Sequence, residues 1–225
     1  MYWILFIAIA VISAIVQKNL QSKFEKYSRE YIPLTGAQVA QKMLHSFGIN
    51  DVKVERVKGN LTDHYDPTSK TLRLSEPVYD ANTVAAAAVA AHECGHAVQH
   101  ATAYAWLSLR SWMVPAVSFS SRWCQWVLLG GIVVLSLTNS PTILALGVLM
   151  FAVSTLFSFV TLPVEINASA RALAWLDKSG ITSYQTHEDA KSALRAAAYT
   201  YVVAALSSLA TLLYYASMLL GRRDD

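Results

Sequence analysis

Two histidines four residues apart with a glutamate between them, in His92-Glu93-Cys94-Gly95-His96, are the residues of this chain best equipped for chemistry. The stretch leading in, from Ala81 to Ala91, is mostly Ala and Val and holds no Pro or Gly, so it predicts a helix. On a helix, positions four apart share a face, so His92 and His96 can offer both imidazoles to one metal ion. Glu93 is turned by about 100° from His92, where it can reach a water on the metal rather than the metal itself. This is the His-Glu-x-x-His pattern, in which the histidines bind zinc and the glutamate acts as the base in peptide hydrolysis. Three polar groups in an otherwise apolar helix call for such a partner. Gly95 costs a helix interior about 1 kcal/mol relative to Ala, which predicts a second segment packed close beneath the site.

The elements that hold this pattern belong to an apolar chain. Hydrophobic residues make up 54% and charged residues 15%, against roughly 25% charged in soluble domains, which points to an integral membrane protein. A net charge of +3, dispersed along the chain, excludes a nucleic-acid partner. Cys94 and Cys124 give no disulfide framework and no metal-pair spacing, so both read as structural.

Four spans are expected, at about 2–20, 112–137, 141–163 and 199–220. Tyr2 to Val16 carries no charge and reads as an uncleaved anchor that continues amphipathically through Leu20. The second and third spans form a hairpin joined by Thr138-Asn-Ser-Pro141. Lys18, Lys23, Lys26 and Arg29 after the first span, and Lys178, Lys191 and Arg195 after the third, put the motif on the cytoplasmic side. Arg222 and Arg223 count the other way, offset by Asp224 and Asp225.

Between the spans lies a small α+β portion, about 21–111 and 164–198, within a single membrane-embedded domain over 1–225. Thr35 to Phe47 reads as a helix capped by Thr35, with Val39, Met43 and Leu44 on one face and Gly48 at its end. Val52–Glu55 and Thr71–Ser75 read as short strands, with Asp66-Pro-Thr-Ser as a turn and His64 in the turn region before the second strand. Leu72 to Leu74 could offer a sheet edge to an extended peptide. The fold class is therefore mainly α: a polytopic helical membrane protein with a small zincin-like catalytic portion.

A catalytic zinc takes three protein ligands and keeps a position for water. His100 stands one turn past His96, about 6 Å along the helix, too far to share the ion with both others. Thr102 occupies the position where a metzincin would have its third histidine. The third ligand should come where the chain returns to the same membrane face, two spans later, and there stands Glu165 in Leu-Pro-Val-Glu-Ile-Asn-Ala-Ser. Pro163 fits the start of a new helix, on which Glu165, Ser169 and Ala172 share a face. A carboxylate at the end of an apolar span is costly unless paired, and a metal would pair it. The alternative is a glutamate placed favourably at a helix N-terminus.

His92 to Gln99, Asp63-His-Tyr-Asp66 with Leu74-Ser75, and Leu162 to Ser169 together resemble the YugP family, over nearly the whole chain. These are bacterial integral-membrane proteins classed as neutral zinc metallopeptidases, related more distantly to the HtpX-like proteases. The resemblance implies one zinc per chain on His92, His96 and Glu165, with Glu93 as catalytic carboxylate. It implies a place in the bacterial cell membrane, and membrane-associated or unfolded proteins as substrates. HtpX-like proteases carry an acidic residue four positions after the ligand glutamate to orient a zinc histidine. Here that position is Ser169, leaving Asn167 or Ser169 to serve. His64, Tyr65, Arg171 and His187 are candidates for stabilising the transition state. The rival readings are a non-catalytic zinc-binding membrane scaffold, which would have no use for Glu93, and a channel or transporter. The spans offer the latter few polar residues beyond Arg122 and Gln125.

Overall fold

The computed structural model describes residues 2–221; Arg222 to Asp225, whose charges entered the orientation count, lie outside the described residues. The chain is mainly helical with one small sheet. In order it forms α1 (Tyr2–Tyr27), α2 (Gly36–Ser46), β1 (Lys53–Val57), β2 (His64–Asp66), β3 (Thr71–Ser75) and the short α3 (Glu76–Tyr79). Then follow α4 (Val84–Ala101), α5 (Ala105–Thr138), α6 (Thr142–Ser179) and α7 (Tyr184–Leu220). Among the described residues, α1, α5, α6 and α7 are the helices long and apolar enough to cross a membrane.

Chain contacts divide the molecule into two compact units, and each of those four helices contributes residues to both. One unit comprises Met1–Ser13, Leu109–Leu162 and Tyr201–Asp225. Its core is small, built on Cys124, Leu128, Leu135 and Leu144. Gly131 lets α5 meet α6 closely, because a Cβ there would stand 2.6 Å from the Leu144 backbone. Trp112, Trp126 and Leu137 are exposed on α5, an outward apolar face suited to lipid.

The other unit, Ala14–Ser108 and Pro163–Thr200, contains every candidate site residue. Its core gathers Val39, Met43 and Leu44 of α2, Leu72 and Leu74 of β3, the alanines of α4, and Ala172 and Leu176 of α6. Helix α2 starts as its sequence dictates. The Thr35 hydroxyl accepts from the Gln38 N–H while the Gln38 side chain accepts from the Thr35 N–H, a reciprocal cap. Thr83 caps α4 in the simpler way, accepting from the Ala86 N–H.

Three expectations need correction. The sheet order is β1-β3-β2, with β1 parallel and β2 antiparallel to β3. Leu72 to Leu74 is thus the central strand, with both leucines fully buried, and not an edge. His64 lies in β2, paired opposite Arg73, rather than in a turn. Pro163 starts no new helix either, because α6 runs through it without a break. Proline inside a helix removes one ladder bond and strains the preceding turn. Here the buried row Val164, Ala168, Ala172 and Leu176 carries the helix on regardless.

Ser75, at the end of β3, is fully buried, and both its N–H (2.7 Å) and its hydroxyl (2.9 Å) donate to the Asp63 carboxylate. Replacing Asp63 with Ala strands two buried donors. We expect a loss of about 1–3 kcal/mol in stability, measured by denaturant unfolding in detergent, because a buried unpaired donor forfeits its hydration.

Candidate metal centre

α4 and α6 meet at Gly95. A Cβ at this position would stand 2.5 Å from the Ala168 carbonyl oxygen and 3.0 Å from its Cα, closer than real Cβ atoms come. Only a glycine lets the two backbones touch here, which accounts for its presence in a helix interior. The contact sets Glu165 and Ser169 of α6, either side of Ala168, against His92 and His96, either side of Gly95.

The three expected ligand residues converge. Ligand atoms of His92, His96 and Glu165 all lie within 4.8 Å of one another. Nε2 of His92 is 3.2 Å, and Nε2 of His96 3.6 Å, from the same Glu165 oxygen, Oε2. Two donors each about 2.1 Å from a tetrahedral metal stand about 3.4 Å apart, so the spacing and the His, His, carboxylate donor set fit zinc. The imidazole rings are nearly perpendicular, with centroids 4.8 Å apart. Glu165 is buried at 4% exposure, where a carboxylate needs positive partners. Burial acts to lower the His96 pKa, but its bond to Glu165 and the nearby Glu93 charge outweigh this and raise it. The surroundings of His96 thus favour positive charge. Glu93 is half-buried, one residue on from His92.

Ser169 stands four positions after Glu165, where an orienting group is expected. Its hydroxyl lies 3.0 Å from Nδ1 of His92, while that ring's Nε2 faces Glu165. Nδ1 of His96 lies 3.0 Å from Oε1 of Gln99, which is fully buried. Gln99 in turn donates through Nε2 to the Val164 carbonyl (2.7 Å) and to Asn167 Oδ1 (3.0 Å). Gln99 was not singled out in the sequence. Its signal was there, a polar residue three positions past His96, but so near a helix end a glutamine usually faces water.

Of the remaining candidates, His64, Tyr65 and Arg171 have hydrogen-bond partners outside the three-donor cluster. His64 is exposed and bonded at Nδ1 to the Thr62 carbonyl, 2.7 Å away. The Tyr65 hydroxyl lies 2.9 Å from His100 Nδ1, so these two pair with each other. Arg171 donates through Nε to Asn167 Oδ1 (2.8 Å), with its guanidinium over the Tyr104 ring. His187 lies on α7, its buried Nδ1 without a hydrogen-bond partner among the described residues. Cys94 is fully buried and points its thiol at the Ala40 carbonyl, 3.5 Å away. Burial pushes that thiol's pKa up, which suits a packing role.

Residues 2–220 match the family model described as "putative neutral zinc metallopeptidase". The chain belongs to this family. It is 41% identical over 225 residues to "Putative membrane protease YugP" of Bacillus subtilis (strain 168), covering 98% of both chains. No solved structure gives a significant match.

Gly95→Ala separates the roles of helix propensity and close packing at this contact. An isolated helix would gain about 1 kcal/mol from alanine. We expect instead a net loss of about 1–3 kcal/mol from overpacking, seen as a lowered unfolding midpoint, with zinc affinity falling more than tenfold.

Proposed function

We propose that the protein is a membrane-embedded zinc endopeptidase of the gluzincin type, in which His92, His96 and Glu165 hold one zinc ion. The convergence of these three donors beside Glu93 carries the reading, and the family and the name of the Bacillus relative support it. When bound, zinc supplies Lewis-acid polarisation of the scissile carbonyl and a nucleophilic water near neutral pH. Glu93 accepts the proton of the attacking water and returns it to the leaving amine. Glu165 supplies the one negative charge among the ligands. Ser169 and Gln99 hold the two imidazoles so that each directs Nε2 inward.

The substrates on this reading are membrane-associated or unfolded proteins, met at the cytoplasmic face of the bacterial cell membrane. The apolar helices and the cationic residues following the first and third spans support this location. An extended peptide would add to the sheet at β1 or β2, its two edges, since β3 is enclosed between them.

The test is metal content and cleavage of detergent-purified protein. The wild type should carry about one zinc per chain, Glu165→Ala should lose most of it, and Glu93→Gln should keep it while losing cleavage of an unfolded protein substrate. Full zinc in Glu165→Ala would move the third ligand elsewhere. Undiminished cleavage by Glu93→Gln would remove Glu93 as the base, and zinc binding with no hydrolysis in the wild type would favour the scaffold.

A further inference from the structure

We infer that Arg171, Asn167 and Gln99 form a one-way hydrogen-bond relay that fixes the tautomer of His96, making these three the positioning residues of its metal-binding nitrogen. The inference rests on the zinc reading of the site and adds to it the means by which one imidazole is held ready.

Arg171 sets the direction of the relay, because a guanidinium can only donate. Its Nε lies 2.8 Å from Asn167, so the amide atom facing it must be the oxygen, Oδ1. The same oxygen is 3.0 Å from Gln99, so Gln99 must face it with its nitrogen. A second, independent acceptor agrees, since that nitrogen is also 2.7 Å from the Val164 carbonyl. With Nε2 committed to two acceptors, the glutamine presents Oε1 to His96, 3.0 Å away. An oxygen there requires Nδ1 to carry the proton, which leaves the lone pair on Nε2, the nitrogen turned toward Glu165. Gln99 is fully buried, so water cannot offer the ring an alternative.

The other histidine lacks this device. Ser169 Oγ faces His92 Nδ1, and a hydroxyl can rotate to donate or accept. The two partners occupy adjacent stripes of α6. Glu165 faces both histidines and Ser169 serves His92, while Val164, Asn167 and Arg171 serve His96 through Gln99. The charge that orients the relay sits at its half-buried end, where Tyr104 supports the guanidinium. The buried end carries only a neutral amide, which avoids a second buried carboxylate beside Glu165.

The experiment measures zinc dissociation constants by chelator competition on the full chain in detergent, with unfolding followed in parallel. Gln99→Met removes the acceptor and should weaken zinc 10–100-fold, the usual effect of losing an outer partner of a metal histidine. Gln99→Glu keeps an acceptor for Nδ1–H but repels Val164 O and Asn167. It should hold zinc within a few-fold of wild type while lowering stability. A glutamine that merely ties α4 to α6 predicts the opposite ranking, with the carboxylate the worse of the two. Arg171→Met should weaken zinc several-fold in the wild-type background and leave it unchanged beside Asn167→Asp, whose carboxylate needs no orienting. Gln99→Met binding as tightly as wild type, or Arg171→Met costing the same in both backgrounds, would overturn the relay alone. A wild type with no zinc affinity would overturn the metal centre and the relay with it.

Discussion

The contact on which the unit holding the candidate metal centre depends is the meeting of two backbones at Gly95 and Ala168. Packed helices ordinarily lie about 8–10 Å apart between axes, with side chains filling the space between their backbones. At Gly95 and Ala168 the backbones of α4 and α6 come into direct contact. Glycine permits it by removing the one side-chain atom that would collide. The rest of α4 follows the same logic. From Ala85 to Ala91 it is nearly all alanine and buried against its neighbours, so α4 is a thin rod that larger elements can surround.

Close packing creates a second problem, which the polar network answers. A carboxylate and two imidazoles removed from water need partners for every remaining donor and acceptor. Glu165 is met by both histidines, and each histidine is met at its outer nitrogen by a neutral group, Ser169 or Gln99. On the proposed zinc reading, neutral partners would keep the ligand set at a single negative charge and leave a bound dication with net positive charge. The more usual carboxylate partner would reduce that charge.

The unit holding the apolar helix segments obeys other rules. Its internal core is small, and many of its largest apolar side chains face outward, an arrangement that is unfavourable in water and natural in lipid. Several hydroxyls there bond to the preceding turn or to each other, as when Thr155 meets Ser208 at 2.7 Å, while the buried Ser154 hydroxyl has no hydrogen-bond partner among the described residues. Such bonds suit a medium that offers no water to an exposed polar group.

What could be read from the chain alone was whatever depends on neighbours within two helical turns or on long apolar runs. The His92 and His96 pairing, the Thr35 cap, the Glu165 and Ser169 face, and the four apolar helices are all of this kind. Glu165 could be matched to histidines about seventy residues earlier because the number of intervening spans fixes the side on which it emerges. Gly95 announced a close neighbour, though not which one. Only the tertiary structure decided the remainder. The three-residue β2 is held by its pairing with β3, and no run as short as His-Tyr-Asp can signal that. Leu72 and Leu74 alternate like any half-buried strand, and only partners on both sides make theirs the central one. Pro163 marks a helix start by local preference, yet packing on either side carries α6 through it. Gln99 shows the same limit at the site itself. Its role comes from Val164 and Asn167, more than sixty residues away, because a hydrogen-bond partner is chosen by position in space and not by order in the chain.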